Sequence, residues 1–309
     1  MRFFCAMVKL CHKNWLNVIL IYMLYKSYEP MAEHCSFRSG GKARWFIQPK
    51  NFSELKTIIE DCNAFGRKFF ILGNGTNVIF TDKGFSGVVI CTKKLDDIQL
   101  ESKAEGFFVT VSAGASLIKL NKFLADCGVS GMEWSYGIPG TVGGAIKMNA
   151  GAYGGQIFDH VVSVDVLKNG KVIKLKKENI KFSYRSGGID DIILRAKLFF
   201  PLTSGTDIKT KQMEIMKRRI DSQPLNYPSA GSVFKRQENL IPAQIIDKLN
   251  LKGAIIGRAM VSEKHAGFIV NLGGATTSDF LKLVEKVQLE VKKVTGKTLE
   301  LEVIIVGEK

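Results

Sequence analysis

No CxxC pair occurs among the six cysteines (Cys5, Cys11, Cys35, Cys62, Cys91 and Cys127), and none stands at metal-ligand spacing from the four histidines. That disfavours a zinc site, and the cysteines read as reduced, mostly buried thiols of a cytosolic protein. Long basic runs are missing as well; the longest is Lys217-Arg218-Arg219. With no aromatic-basic interleaving, internal repeat or low-complexity tract, the chain lacks the marks of a dedicated nucleic-acid stripe. The apolar run at 15–25 (WLNVILIYMLY) is too short to span a bilayer, which takes about 20 residues. Arg2, Lys9 and Lys13 precede it in imitation of a secretory signal, but no small-x-small cleavage site follows. The run is expected to dock on the protein as a helix or strand. Met7, Met23 and Met31 are alternative starts.

What is present is the composition of a soluble globular protein, 46% hydrophobic and 24% charged. A length of 309 residues allows about two domains. Lys and Arg outnumber Asp and Glu by 44 to 29, a net charge of +15, split about +3, +7 and +5 over residues 1–30, 31–205 and 206–309. A surplus this size points to anionic partners, and its even spread favours phosphate-bearing small molecules over a polyanion tracked by one face.

From residue 40 onward the pattern is α plus β with frequent glycine. A helix is predicted from Ser53, with Leu55, Ile58, Ile59 and Cys62 on one face and Gly66 as its stop. Strands are predicted at 68–72, just after 77, and at 87–91, 107–111, 161–167, 171–175 and 191–200. A second helix opens at the cap Ser116, carries Leu117, Leu120, Phe123 and Leu124, and ends at Gly128. A linker at 202–207 leads into a basic helix over about 208–222 and a loop containing Pro224, Pro228, Ser229 and Gly231. Pro242 is a good first-turn residue for a further helix. The last helix, 277–294, buries Phe280, Leu283, Val284, Val287 and Val291 between a Thr276/Asp279 cap and Gly296, and a final strand follows at 299–306.

Two glycine-rich segments stand out. Gly73-Asn74-Gly75-Thr76-Asn77 follows a strand, but Val78 occupies the place of the third glycine of a dinucleotide fingerprint. Gly296-Lys297-Thr298 fails as a P-loop because Val291 stands where its first glycine must be. The 73–77 turn reads either as structural or as an anion nest of backbone N–H groups. Residues 137–155 contain seven glycines in nineteen positions. Ordering so bare a segment loses much backbone entropy, so it reads as backbone laid against a large ligand, with a series of core bends as the alternative.

Three other clusters carry candidate chemistry. Arg185, in Phe182-Ser183-Tyr184-Arg185, suits a surface ion pair or a carboxylate clamp. Ser232, in Gly231-Ser232-Val233-Phe234-Lys235, lacks a GxSxG elbow and reads as a hydroxyl donor rather than a hydrolase nucleophile. Glu302 lies in the apolar stretch Leu301-Glu302-Val303-Ile304; it is either exposed or buried with a shifted pKa. His265, beside a strand, more often serves as a structural hydrogen-bonder.

Taken in order, these segments resemble the UDP-N-acetylenolpyruvoylglucosamine reductase family of flavoenzymes. The matching residues begin with Ser36-Phe37-Arg38-Ser39-Gly40-Gly41-Lys42-Ala43, Leu72–Asn77, and Gly131-Met132-Glu133 running into 137–155. They continue with Phe182–Arg185, Gly231–Lys235, Lys264-His265-Ala266-Gly267-Phe268-Ile269-Val270-Asn271 and Leu301-Glu302-Val303. The likeness extends from about residue 28 to the end. It implies an α+β chain: a two-subdomain FAD-binding fold of the vanillyl-alcohol-oxidase/PCMH type (31–92 and 93–205), then an α/β substrate-binding domain (206–309). Residues 1–30 remain as an N-terminal extension.

The resemblance also implies a reaction: NADPH-dependent reduction of UDP-N-acetylglucosamine enolpyruvate to UDP-N-acetylmuramate through FAD, in peptidoglycan precursor synthesis. By it, Gly73, Asn74, Gly75, Thr76 and Asn77, together with Gly137, Ile138, Pro139, Gly140, Thr141, Gly143, Gly144, Asn149, Ala150 and Gly151, hold the pyrophosphate and flavin. The catalytic residues fall on Arg185, Ser232 and Glu302. NADPH reduces FAD, flavin N5 gives hydride to the enolpyruvyl β-carbon, Arg185 and Glu302 stabilise the enolate, and Ser232 protonates the α-carbon. Tyr184, Lys235, Arg236 and His265 are expected to contact substrate. Arg236-Gln237 replace the Asn-Pro that often follows this lysine in the family, and Arg236 is assigned a phosphate instead. The short stretch between Arg185 and Phe200 leaves no room for an inserted tyrosine loop and implies the shorter subclass. A cytoplasmic monomer or weak dimer without metal, nucleic acid or stable membrane insertion completes the expectation. The rivals are an oxygen-using FAD oxidase on the same scaffold and a non-enzymatic anion binder.

Overall fold

Residues 25–203 and 207–308 are described in the computed structural model. The apolar run at 15–25 lies outside them except for Tyr25, as do Cys5, Cys11 and residues 204–206 of the expected linker. Tyr25–Pro30, assigned from sequence to the extension, is the edge strand β1. It pairs antiparallel with β2 (Lys42–Ile47). After α1 (Phe52–Ala64) come β3 (Phe69–Leu72), β4 (Val78–Phe80) and β5 (Phe85–Cys91). The first sheet runs β1-β2-β5-β3, with β5 parallel to both neighbours. Its Val88, Val89, Ile90 and Cys91 are all fully buried, the continuous apolar run of a parallel strand covered on both faces. Leu55, Ile58, Ile59 and Cys62 of α1 are buried as their spacing predicts. The helix begins at Phe52, one residue before the expected Ser53, and Asn51 caps it: its side chain accepts from Glu54 N at 2.9 Å, an Asn-x-x-Glu start that satisfies an orphan donor.

The second unit holds β6 (Ile98–Lys103), β7 (Gly106–Ser112), α2 (Leu117–Asp126), α3 (Val142–Lys147), β8 (Gly151–Ala152), β9 (Gly155–Gln156), β10 (Val161–Lys168), β11 (Lys171–Lys176) and β12 (Ile192–Pro201). Its antiparallel sheet runs β11-β10-β12-β7-β6. Val109, Val111, Val164 and Leu198 face Leu117, Leu120, Leu124 and Ile146 in one core. Ser116 caps α2, accepting from Lys119 N at 3.0 Å, as predicted.

The third unit contains α4 (Ile208–Ser222), β13 (Ser229–Ser232), α5 (Pro242–Lys248), β14 (Ile255–Ile256), β15 (Ala259–Val261), β16 (Phe268–Asn271), α6 (Thr277–Thr295) and β17 (Ile304–Val306). The antiparallel sheet β13-β16-β15-β14 packs against α6 through Phe280, Leu283, Val284, Val287 and Val291. Thr276 and Asp279 form the expected capping box, and Gly296 (φ +68°) ends the helix.

One element departs from expectation. Instead of a single strand over 299–306, Leu301 makes an isolated bridge to Phe234, and only Ile304–Val306 is strand, parallel to β4. The chain changes partner at Glu302, whose N–H donates to Val233 O at 2.8 Å while its carbonyl accepts from Asn77 Nδ2 at 3.0 Å. This crossing ties the third unit to the first. So does Asp82, whose carboxylate accepts from Thr277 N and Ser278 N, both at 2.8 Å, in the first turn of α6. Asp82→Ala is expected to lower stability by about 1 kcal/mol, the usual worth of such a cap, measured as a shift of the urea midpoint at unchanged slope. Among the described residues, no helix is long and apolar enough to cross a membrane.

Candidate active site

The two glycine-rich segments meet. Asn74 Nδ2 donates to Pro139 O at 2.7 Å, and a Cβ on Gly73 would stand 2.4 Å from Thr141 Oγ1. Gly75 (φ +65°) packs on the main chain of residues 34 and 35, where a Cβ would lie 2.0 Å from His34 O. Between these contacts the missing Cβ of Gly140 has no neighbour nearer than 3.9 Å, with Thr76 Oγ1 at 4.0 Å. This surface is bare backbone open to a ligand. The segment 137–155 is not merely a series of bends. Thr141 caps α3, accepting from Gly144 N at 3.3 Å, and β8 and β9 form a short hairpin.

Asn149 joins this segment to the Arg185 turn. It adopts φ +40°, and its Nδ2 donates to Gln156 Oε1 at 2.9 Å and to Ser183 O at 3.0 Å. The turn is closed by reciprocal hydrogen bonds between Ser183 and Ser186, with Arg185 itself at φ +55°. A non-glycine residue in that region is held there by its surroundings. Gly187 lets the turn press on α3, since a Cβ would meet Ile146 O at 1.9 Å.

Arg185 and Glu302, separated by more than a hundred positions, form an ion pair with Nε 2.8 Å from Oε1, their side chains 21% and 13% exposed. The Arg185 guanidinium also donates from Nη1 to Gly151 O at 3.1 Å and lies over the Tyr184 ring. Arg185 is therefore an ion pair, half-buried and facing the glycine segment rather than lying at the surface. Glu302 is half-buried and its pKa is shifted. Burial pushes its carboxyl above the ordinary value, against the pull of Arg185 and Lys235. Ser232 is half-buried at the end of β13, next to Val233, whose carbonyl accepts the Glu302 N–H. Ser36 Oγ donates to Ser229 O at 2.6 Å and the missing Cβ of Gly231 has its nearest neighbour, Thr76 O, at 3.9 Å. These contacts hold the serine strand beside the 73–77 turn.

The remaining expected contacts divide. Tyr184 is exposed beside Arg185, Lys235 is half-buried and acts electrostatically on Glu302, and Arg236 is exposed. His265 stands apart: its Nδ1 accepts from Gly267 N at 3.1 Å, and its ring meets Phe268 edge-on at 4.9 Å. Burial holds its imidazole below the ordinary value, with Lys252 and Asp247 as its charged neighbours. Among the described residues it shares no hydrogen bond or ion pair with Arg185, Ser232 or Glu302. The sequence reading missed Asn77 as the brace of the Glu302 carbonyl. It also missed Arg219, which lies against Gly137; nothing in a basic helix marks one arginine as buried.

The residues fit a flavin nucleotide. Buried polar atoms without a hydrogen-bond partner gather around this segment: Asn121 Oδ1, Glu133 Oε1, Trp134 Nε1, Asn149 Oδ1 and Arg219 Nε. Mixed donors and acceptors of this kind are costly unless a polar ligand satisfies them; Asn149 lies within the glycine-rich segment, Trp134 packs on Gly155 and Arg219 on Gly137.

Comparison with known proteins agrees. The family described as FAD binding domain matches residues 43–176, and the C-terminal domain of UDP-N-acetylenolpyruvoylglucosamine reductase matches residues 223–306. Proteins named UDP-N-acetylenolpyruvoylglucosamine reductase from Lachnoclostridium phytofermentans and Clostridium botulinum (strain Okra / Type B1) are 40% and 42% identical over 288 and 285 residues, covering 91% of this chain and 92% of each relative. The crystal structure of UDP-N-acetylenolpyruvylglucosamine reductase from Thermus caldophilus is 30% identical with a TM-score of 0.76, covering 92% of this chain and 98% of that one.

Proposed function

Since the chain belongs to the UDP-N-acetylenolpyruvoylglucosamine reductase family, we propose that Arg185, Ser232 and Glu302 are its catalytic residues and that the joined glycine turns are its FAD cradle. The enzyme is an FAD- and NADPH-dependent oxidoreductase that reduces UDP-N-acetylglucosamine enolpyruvate to UDP-N-acetylmuramate in peptidoglycan synthesis. The observation that carries the site assignment is the half-buried Arg185–Glu302 pair, built beside Ser232 and against the cofactor segment.

When bound, FAD supplies the hydride relay from NADPH to the enolpyruvyl β-carbon. Everything else falls to side chains. Arg185 is fixed by its turn and by Gly151 O, so its guanidinium needs no reorganisation to face the negative charge developing on the substrate carboxylate. Glu302 can donate to that oxygen only as a neutral carboxyl, and its raised pKa keeps more of it protonated. Ser232 Oγ delivers the proton to the α-carbon. A serine is a weak acid, so its competence depends on the polarisation that the Arg185 guanidinium and the Glu302 carboxyl supply beside it. Lys235, Tyr184 and Arg236 bind the substrate's polar and phosphate groups; His265 takes the outer part of that role. The same reading divides the chain into 31–92 and 93–205 for FAD and 206–309 for substrate. It makes the enzyme a cytoplasmic monomer or weak dimer without nucleic-acid partners.

The Glu302 assignment has a pH signature. A carboxyl whose pKa is raised is protonated below its ordinary value and loses its proton as pH climbs through the raised one, so turnover at saturating substrate is expected to fall over that window. Glu302→Gln, a donor that does not titrate, is expected to flatten this limb of the profile. An unchanged limb in the variant assigns it to another group and removes Glu302 from the proposed chemistry.

A further inference from the structure

Glu302 is not aimed by its ion pair. Arg185 Nε stands 2.8 Å from Glu302 Oε1, yet that Nε makes no hydrogen bond. The two charges are close without the aligned contact that fixes a carboxylate's direction.

The main chain fixes it instead. On one side Glu302 N–H donates to Val233 O at 2.8 Å, and Lys235 N–H donates to Glu300 O at 2.9 Å. On the other side stands Asn77. Its Nδ2 donates to Glu302 O at 3.0 Å, and its own carbonyl accepts from Ile304 N at 2.9 Å. One residue of the 73–77 turn therefore holds the C-terminal stretch at 302 and again at 304. Val303, between them, is buried in the core that α6 forms with its sheet. The bend there is where the chain leaves Phe234 for β4. The same turn also lies against the serine strand, with Thr76 O 3.9 Å from the missing Cβ of Gly231, next to Ser232. Asn77 thus stands where the turn, the serine strand and the catalytic carboxyl are brought into register. Side chains that act in a transition state depend on such supports, because small displacements of a positioned group are costly in rate.

We propose that Asn77 is a positioning residue: by holding the main chain at both 302 and 304, it aims the Glu302 carboxyl into the Arg185 site. Its amide acts on no reacting atom. The proposal rests on the reading that Arg185 and Glu302 are catalytic.

The experiment follows the two half-reactions by rapid mixing in full-chain, FAD-saturated protein: flavin bleaching by NADPH, then flavin reoxidation by UDP-N-acetylglucosamine enolpyruvate. Asn77→Ala is expected to slow the second about tenfold more than the first, short of the roughly 10²-fold that a 1 Å misplacement can cost. Asn77→Asp keeps the shape but loses the amide donor, and is expected to slow reoxidation at least as much. The deciding measurement is a double-mutant cycle with Glu302→Ala. A residue that acts through Glu302 has nothing left to position there, so adding Asn77→Ala to that background is expected to cost less than about twofold. A similar cost in both backgrounds overturns the proposal and makes Asn77 a structural brace. So does equal slowing of both half-reactions, which gives the residue to the cofactor. An Asn77→Asp enzyme as fast as wild type also overturns it, because the donated hydrogen bond is then idle. If Asn77→Ala does not fold, Asn77→Asp carries the same cycle. A Glu302→Ala enzyme whose reoxidation is unimpaired fails differently: it removes the catalytic reading of Glu302 itself.

Discussion

Ser232→Ala is expected to lower turnover about 10³-fold, within the range that a positioned general acid contributes, while NADPH still bleaches the flavin absorbance at the wild-type rate. The separation follows from where the serine stands. Its strand is fastened to the 73–77 turn through Ser36 and lies beside Glu302, but the main-chain contacts that define the cradle do not involve its hydroxyl. The loss should fall equally on kcat and kcat/KM, because the proton is delivered only in the transition state. Rapid mixing of the variant with NADPH alone, then with the enolpyruvyl substrate, separates the two steps. Equal slowing of both half-reactions would make Ser232 a structural residue and contradict its assignment.

Gly75→Ala is expected to be the most damaging single methyl addition in the cofactor segment. The position requires φ +65°, and the new Cβ would stand 2.0 Å from His34 O and 3.0 Å from Cys35 Cα, which are main-chain atoms. The left-handed conformation alone costs roughly 1 kcal/mol, and overpacking adds about 1–3 kcal/mol. Against a typical total of about 5–15 kcal/mol, that combination is expected to lower the thermal midpoint sharply and abolish FAD retention. Gly66→Ala separates the two terms. Gly66 has φ +60° but open space where a Cβ would go, so the substitution should cost only about 1 kcal/mol and leave the bound flavin unaffected. Equal effects at both positions would mean that backbone conformation, not the close approach to His34, governs Gly75.

The limits of reading this chain from sequence have physical causes. Helix α6 was legible to within a residue because apolar periodicity, a Thr-x-x-Asp start and a terminal glycine agree. Helix α1 starts one residue before Ser53 because Asn51 caps it, and the Asn51-x-x-Glu54 spacing marks that cap where apolar periodicity alone does not. In 137–155, glycine erases the periodicity on which helix and strand predictions rest, so α3 and the β8–β9 hairpin were invisible. The residues of the site were visible as oddities: a lone carboxyl in an apolar stretch, an arginine at a strand end, a serine between glycine and valine. Their convergence was not, because it depends on the C-terminal stretch changing partners at Glu302, from Phe234 to β4. Arg219 gave no local signal at all. Its burial is decided by the segment that α4 lies upon.

The most direct test of the central claim is the absorbance spectrum of the purified protein, followed by NADPH oxidation with and without UDP-N-acetylglucosamine enolpyruvate. A flavin spectrum, with sustained NADPH consumption only when that substrate is present, is the expected result. A protein that stays colourless after incubation with FAD, or one whose flavin turns over NADPH equally well without the enolpyruvyl sugar, would contradict it.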